Sequence, residues 1–402
     1  MRIALFPDDY LPDSTLVHAK MFHELALELI RLGHTPIIIT PGNPNQSTLL
    51  SVDFLDGVEI WRFKNGKTRG IGKVKRAINE SLLSFNAWRA INKKVKDNPI
   101  DACINYAPTI FFGPLLQWFR YKYKTNNYLV LRDMFPQWAI DEGLISPRSP
   151  ITLYFRLFER LNYSSSDIIG LMSDANVDFF TKQHPKFKKI EILRNWASVK
   201  PFEPEKISRN IRDELNIKDK VIYFYGGNIG HAQDMDNLLR LSKAMINETD
   251  AHFLFVGQGD EIELVKRRKI EWNLTNLTLL PSVSQTVYKE LLLQVDVGLF
   301  SLAHSHKAHN FPGKLLGYMV QSLPILGSVN PGNDLIEYIN DRDAGDAYIN
   351  GEDESLLLAA KRLLHDEKLR KTYGCNAYDV LIKDFSVSAA AEKILQQINK
   401  EC

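Results

Sequence analysis

The sequence predicts an α/β protein built from two doubly wound, Rossmann-like domains. The chain has 402 residues, which is more than one comfortable hydrophobic core. Alternating strand and helix patterns occur in two series, and a polar, proline-spaced stretch at residues 195–208 separates them. We therefore place the domains at residues 1–197 and 198–385, with the C-terminal helix at 386–402 packing back on the first.

Each series has the short apolar runs of strands, separated by amphipathic helical stretches. The first series predicts strands at 2–6, 36–40, 58–63, 102–106, 128–131, 167–172 and 190–193, with helices at 18–32 and 77–95. The second predicts strands at 221–225, 252–256, 277–280, 297–300 and 323–326, with helices at 235–246, 288–294, from 311 and at 389–398. This repetition indicates two mostly parallel sheets that face each other across a cleft, where such sheets bind ligands.

Composition and charge limit the classes of partner. Hydrophobic residues make up 45% of the chain and charged residues 24%, as in a globular protein. The net charge of +2 combines +8 in residues 1–200 with −6 in the remainder, so the first domain is expected to meet an anionic partner. No recognition motif accompanies this charge, which argues against nucleic acid. Three cysteines without paired spacing, the absence of a signal-peptide pattern and the absence of a long apolar run favour a cytoplasmic protein.

A membrane surface is the anionic partner that the first domain predicts. Residues 64–76 contain six cations and no acid, and residues 110–123 interleave aromatic and apolar side chains with Arg120 and Lys122. Together these segments are typical of a peripheral contact with an anionic lipid surface. The alternative is that they form a solvated loop and a core helix.

Two glycine-containing loops follow predicted strands of the second domain. Gly227, Asn228 and Gly230 lie where backbone N–H groups and a following helix dipole could hold a phosphate. A tight strand–helix turn is the alternative explanation. Gly257 lies in a second loop of this kind, where the glycine can also simply permit the turn.

Asp133 follows the predicted strand at 128–131 directly, on the ligand-binding edge of the first sheet. Its carboxylate could orient or deprotonate an acceptor hydroxyl. An ion pair or a helix cap is the alternative.

The stretch 304–334 combines polar residues with the start of a helix that carries Lys314. Its histidines, His304, His306 and His309, suggest ligand hydrogen bonding more than zinc, because no fourth ligand lies nearby. The D-x-D patterns at 234–236 and 341–343 are explained by a helix start and a polar loop, so we expect no metal site.

Taken together, these motifs resemble the two-domain GT-B glycosyltransferases of the large bacterial family 4, over nearly the whole chain. The resemblance rests on the order and spacing of RLGH at 31–34, LRNW at 193–196, GGNIGHAQ at 226–233, VGQG at 256–259 and FPGKLLGYM at 311–319. Within that family, the sequence is most similar to transferases of N-acetylated 6-deoxyhexosamines, such as N-acetyl-L-fucosamine, in O-antigen or capsule synthesis.

The resemblance implies a UDP-sugar donor and a polyprenyl-diphosphate-linked saccharide acceptor at the inner face of the cell membrane, without metal or cofactor. It implies catalytic roles for Asp133 and His309. The donor-binding residues it implies are Gly227, Asn228, Gly230, Arg194, Gly257, Ser282, Asn310 and Lys314.

The sequence departs from the family at two places. A Glu-x7-Glu pair, whose second Glu holds the ribose, aligns with His309 and Gly317, and the usual diphosphate-binding Arg and Lys align with Asn228 and the 233–234 region. A buried diphosphate requires cations or oriented donors, so we assign that role chiefly to Lys314. A UDP-sugar 2-epimerase and a non-catalytic, membrane-associated scaffold of the same fold are the alternative functions.

Overall fold

The computed structural model describes residues 1–12, 14, 16–68, 70–107, 109–141, 143–196, 199–305 and 311–399. The chain divides into two compact units. Unit 1 contains residues 1–197 and 387–402, and unit 2 contains residues 198–386.

Unit 1 is an eight-stranded sheet with helices on both faces. Its elements are β1 (Arg2–Phe6), α1 (Val17–Arg31), β2 (Thr35–Pro41), β3 (Leu50–Leu55), β4 (Val58–Phe63), α2 (Lys73–Ser81), α3 (Leu83–Asp97), β5 (Ala102–Ala107), α4 (Gly113–Tyr123), β6 (Asn126–Leu131), α5 (Gln137–Asp141), α6 (Pro150–Ser164), β7 (Ile168–Leu171), α7 (Asp174–Gln183) and β8 (Ile190–Ile192). The strand order is β3-β4-β2-β1-β5-β6-β7-β8, and every pairing is parallel except the antiparallel one between β3 and β4.

Unit 2 is a six-stranded parallel sheet. Its elements are α8 (Ile211–Glu214), β9 (Val221–Asn228), a 3₁₀ turn (His231–Gln233), α9 (Met235–Ala244), β10 (Ala251–Gln258), α10 (Ile262–Glu271), β11 (Leu277–Pro281), α11 (Gln285–Leu292), β12 (Val297–Ser301), α12 (Gly313–Val320), β13 (Ile325–Val329), α13 (Leu335–Asn340), β14 (Gly345–Ile349), α14 (Asp353–His365), α15 (Glu367–Val380) and a π-helical turn (Leu381–Phe385). The order β11-β10-β9-β12-β13-β14 reverses direction between β9 and β12, as in a dinucleotide-binding fold.

The central strands of both sheets are buried on both faces, which explains their nearly continuous apolar sequences. In β1, Ile3 and Leu5 pack on one face while Ala4 and Phe6 pack on the other. In β9, residues 222 and 224 likewise pack on one face of the sheet, and residues 223 and 225 pack on the other. Because successive strand residues point to opposite faces, such strands require helices on both sides. The predicted pair of Rossmann-like α/β domains is therefore confirmed.

The C-terminal helix α16 (Val387–Ile398) packs on α1 and β6. Its residues Ala391 and Ile394 are fully buried in the same cluster as Leu25 and Leu29 of α1. The C-terminal helix thus belongs to unit 1.

The aromatic segment 110–123 does not form a membrane-facing surface. Phe111, Phe112, Leu115, Leu116 and Phe119 are buried in a core cluster of unit 1. The core-helix alternative is correct for α4, because these side chains pack against the sheet and against α6.

We expect the unit 2 core to tolerate a side chain poorly at Gly374. A β-carbon there would lie 1.9 Å from the Ser322 carbonyl oxygen, where α15 meets the end of α12. Backbone cannot move aside cheaply, so Gly374→Ala should lower the free energy of unfolding by about 1–3 kcal/mol.

Gly317→Ala is the matched helical control, measured by urea denaturation beside Gly374→Ala. Its nearest neighbours would be Leu292 and Tyr288 side-chain atoms at ordinary contact distances, 3.6 and 3.9 Å. Alanine has the higher helix propensity, so this variant should be neutral or more stable. Equal stabilities for the two variants would contradict the close approach at Gly374.

Candidate functional site

A pocket of about 470 Å³ lies at the carboxyl end of the unit 2 sheet. Its lining comes from the ends of β9 and β10, the segment after β11, the helix α11 and the start of α12. The residues are Gly226, Gly227, Asn228, Val256, Gly257, Gln258, Ser282, Val283, Gln285, Tyr288 and Lys314. The carboxyl edge of a doubly wound sheet, close to the reversal of strand order, is where such folds bind ligands.

The backbone of β9 and β10 forms the floor of this pocket. Gly227 pairs in register with Gly257, and a β-carbon on Gly257 would lie only 1.9 Å from the Gly227 carbonyl oxygen. Gly227 itself has φ +126°, a conformation that L side chains rarely adopt. Glycine at these two positions therefore lets the strands meet closely and leaves the backbone open to a ligand.

Lys314 places its ammonium on the face of the Tyr225 ring, with Nζ 3.5 Å from the ring centroid. Nζ is shielded from solvent and has no hydrogen-bond acceptor among the residues that the structure describes. Burial lowers the pKa of Lys314 from its usual 10.5 to about 7. A desolvated cation without an acceptor is costly, so this side chain is suited to receive an anionic group.

Tyr318, one turn after Lys314, fixes α12 to the sheet. Its buried hydroxyl donates to the Leu299 carbonyl at 3.0 Å and accepts from the Gly226 amide at 3.3 Å. The first bond ties the helix to β12, and the second ties it to the glycine turn of β9. Lys314 is thereby held over Tyr225 by its own helix.

The helix dipole expected behind the Gly227 loop is already used within the protein. A 3₁₀ turn follows the loop, and α9 begins only at Met235, whose amide donates to the Glu261 carboxylate at 3.1 Å. The Ile229 amide likewise donates to the Gln258 carbonyl. The expectation that α9 supplies positive potential at this loop is therefore wrong, because a carboxylate occupies its N-terminus.

The structure brings five of the predicted donor-binding residues into the one pocket: Gly227, Asn228, Gly257, Ser282 and Lys314. The Asn228 side chain donates to Gln233, and the Ser282 hydroxyl donates to Gln258. Both polar side chains are thus oriented by neighbours.

Three further predicted donor-binding residues and His309 are not among the described residues that line this pocket. Gly230 follows the loop and does not line the pocket. Arg194 belongs to unit 1, where its guanidinium donates to the Met172 carbonyl at 3.4 Å. His309 and Asn310 lie outside the described residues, so their predicted roles stay predictions.

Sequence reasoning missed the aromatic part of the site. Tyr225 had no signal beyond its place in an apolar strand. Tyr288 lines the pocket from α11, packs on the Phe224 ring at 5.8 Å, and has its pKa raised to about 12 chiefly by burial. The strand end before α11 and the serine that caps this helix, Ser284, were the only available signals.

Asp133 lies on the carboxyl edge of the unit 1 sheet, directly after β6 and its neighbour Arg132. The residue is exposed, yet desolvation raises the pKa of its carboxyl, opposed by Arg132 and reinforced by Asp8. Within the described chain its carboxylate neither caps a helix nor forms an ion pair. The carboxylate is thus not committed to a structural partner.

The carboxyl edge of the unit 1 sheet also carries a pair of titratable groups that the sequence did not predict. His18 Nε2 is 3.0 Å from Asp8 Oδ1, and the imidazole stacks on the Tyr106 ring at 4.8 Å. Asp8 follows β1 and Tyr106 belongs to β5, the two strands between which the strand order reverses. Their wide separation in sequence hid this arrangement.

The D-x-D candidate at 234–236 is engaged by protein partners. Asp234 accepts from Asn350 at 2.9 Å, and Asp236 pairs with Arg268 at 3.1 Å. Among the described residues, no three His, Cys, Asp or Glu side chains are grouped as metal ligands.

In the described part of the chain, every helix is too short or too polar to cross a bilayer.

Three comparisons relate this architecture to known proteins. Residues 207–380 match the family model "Glycosyl transferases group 1". The chain is 25% identical over 320 residues to the probable glycosyltransferase WbjE of Pseudomonas aeruginosa, covering 78% of this chain and 74% of WbjE. It is 21% identical over 312 residues to the putative colanic acid biosynthesis glycosyl transferase WcaI of Escherichia coli K12, covering 74% and 76%.

The fold has solved counterparts. One is Alr3699/HepE of Anabaena, crystallised in complex with UDP and glucose, with a TM-score of 0.61 and 14% identity over 99% of both chains. The two Rossmann-like domains thus have the GT-B fold, and residues 207–380 are similar to a glycosyl transferases group 1 domain.

Proposed function

We propose that the protein transfers a sugar from a UDP-sugar to a polyprenyl-diphosphate-linked saccharide during bacterial polysaccharide synthesis. The observation that carries the proposal is the desolvated Lys314 ammonium, which faces the glycine floor of the unit 2 pocket. A donor diphosphate brings the acceptor oxygens that this ammonium lacks, and charge-assisted hydrogen bonds of this kind are strong. A pocket of about 470 Å³ is within the usual range for small-molecule sites.

The relatives support the wider assignment. WcaI is named for colanic acid biosynthesis, and HepE was crystallised with UDP and glucose. An N-acetylated 6-deoxyhexosamine as the sugar, in O-antigen or capsule synthesis, rests on the sequence resemblance alone.

The chemistry that we assign to this chain is positioning and charge stabilisation. Lys314 binds the diphosphate and stabilises the charge that develops on the leaving UDP. Asp133 orients the acceptor hydroxyl or accepts its proton, and its raised pKa makes the carboxylate a better base. No metal or cofactor enters this scheme.

The protein incubated with UDP-sugars and a lipid-diphosphate saccharide should form product only when both substrates are present. Failure to bind any nucleoside diphosphate would defeat the proposal. Product formed without acceptor would indicate a UDP-sugar 2-epimerase instead. Nucleotide binding without transfer to any acceptor would indicate a non-catalytic scaffold.

Lys314→Met should weaken UDP binding by about 10- to 100-fold, because a charged hydrogen-bond donor is lost while the apolar stem remains. The same variant should melt at a higher temperature at pH 6–7. A lysine whose pKa falls on folding opposes folding below its unfolded pKa, and does so fully below about pH 7. Calorimetric titration and thermal melts measure both effects. Unchanged UDP affinity would refute the assigned role.

The UDP affinity of the wild-type protein should fall as pH rises from 7 to 9. The free ammonium has its pKa at about 7, and a bound diphosphate raises that pKa, so binding above pH 7 requires uptake of a proton. The dissociation constant should increase by up to about tenfold per pH unit until the pKa of the complex is reached. Lys314→Met serves as the control and should lack this dependence.

Asp133→Asn should lower turnover by about 100-fold or more and leave UDP binding unchanged, as expected for a proton acceptor on the acceptor side. The matched control is Asp178→Asn, a change of an exposed carboxylate of α7 in the same unit. Steady-state kinetics with saturating donor measure the effect. Wild-type turnover in Asp133→Asn would remove this residue from catalysis.

A further inference from the structure

The helices α2 and α3 present an apolar stripe to solvent. Val74 is 76% exposed, Ile78 and Phe85 are each 55% exposed, and Leu82 and Trp88 are exposed as well. Their spacings of four and three residues place them on one side of the nearly continuous helical pair. At 1.5 Å per residue the stripe is about 21 Å long.

The protein holds α2 by its polar face, the reverse of an ordinary surface helix. Buried Asn65 donates to the Asn79 carbonyl at 3.3 Å and accepts from the Asn86 side chain at 2.8 Å. The Asn79 side chain in turn donates to the Lys67 carbonyl at 2.7 Å. The Asn79 and Asn86 side chains are thus bonded inward, and the apolar side chains of the stripe face outward.

Helix α6 extends the apolar surface. Its exposed residues Leu153 and Leu157 lie on one face with Tyr154. The Tyr154 hydroxyl donates to Ser81 Oγ at 2.6 Å, which places this face beside the end of α2. We name the exposed apolar residues of α2, α3 and α6 the α2–α6 surface; they are Val74, Ile78, Leu82, Phe85, Trp88, Leu153, Tyr154 and Leu157.

Cations flank this surface. Between residues 64 and 96 the chain has ten Lys and Arg residues and one acid, Glu80. Helical spacing places Lys75, Arg89 and Lys93 along one side of the stripe, and all three are exposed. Of the ion pairs found in the described parts of the chain, none involves these three residues, whereas Glu80 pairs with Arg76.

We propose that the α2–α6 surface docks the protein on an anionic membrane. The apolar side chains would enter the boundary between headgroups and acyl chains while the flanking cations contact anionic headgroups. A second copy of the chain fits less well, since a twofold interface would set the same cations against each other. The surface belongs to unit 1 and shares no residue with the unit 2 pocket, so its test is independent of the proposed reaction.

The wild-type chain should co-sediment with vesicles containing 30% phosphatidylglycerol in phosphatidylcholine at about 50 mM salt. Binding should weaken at about 500 mM salt and on vesicles of phosphatidylcholine alone, because the electrostatic attraction is screened or absent. Failure to bind the anionic vesicles at low salt would overturn the proposal.

Two variants locate the contact. Ile78→Ser/Phe85→Ser should bind anionic vesicles at least about tenfold more weakly than the wild type. The control Ile270→Ser/Leu358→Ser removes exposed apolar side chains from unit 2 and should bind normally. Lys75→Glu/Arg89→Glu/Lys93→Glu should lose about 100-fold or more at low salt, with folding unaffected at these exposed positions.

The matched charge control is Lys206→Glu/Lys368→Glu/Lys383→Glu, which changes net charge equally on exposed positions of unit 2. Equal losses in both triple variants would show that net charge alone drives binding and would overturn the assigned surface. Sedimentation velocity would also overturn it if the wild-type chain were a dimer that Ile78→Ser/Phe85→Ser abolishes while vesicle binding persists. UDP affinity, measured in parallel, reports separately on the proposed function.

Discussion

The buried ammonium of Lys314 over the Tyr225 ring is the interaction around which the unit 2 pocket is arranged. The ring offers its electron-rich face to the cation, but a cation–π contact replaces only part of the lost hydration. The fall in pKa to about 7 shows the deficit. Tyr318 keeps the helix that carries Lys314 attached to both β9 and β12, so the cation cannot easily move to solvent. Stability is thereby exchanged for affinity at the place where phosphate charge would arrive.

The glycine floor and the lysine depend on one another. A β-carbon built on Gly227 would lie 3.7–3.8 Å from the Lys314 Cε and Nζ atoms, so the ammonium already faces the bare backbone of β9. A side chain there would take the space between cation and floor. The sequence resemblance places the ribose-binding Glu at Gly317, where a β-carbon would contact Leu292 and Tyr288. Tyr288 of the pocket therefore lies beside the position at which the resemblance leads one to expect a carboxylate.

The sequence was sufficient for the parallel sheets and for five residues that line the unit 2 pocket, because both depend on local patterns. Buried strands are apolar along their length, and the glycine turns lie at strand ends. Strand β14 was missed because its second residue is Asp346, which is buried only through its paired bonds to Arg362 of α14. The role of Glu261 at the start of α9 was hidden for the same reason. Such partners are brought together by the fold and leave no periodic signal.

The helical pair α2–α3 shows the limit of periodicity most clearly. It carries two apolar stripes with the same spacing: Leu83, Ala87, Ile91 and Val95 face the core, whereas Val74, Ile78, Phe85 and Trp88 face solvent. A hydrophobic pattern predicts that a helix has an apolar face, but it cannot say which of two such faces meets the sheet. Here the packing of α3 against β2 and β4 decides. Charge then distinguishes the second stripe from a packing defect, since Lys75, Arg89 and Lys93 flank the outward face. Contiguous exposed apolar patches of this kind mark interaction surfaces, and the bordering cations fit an anionic partner.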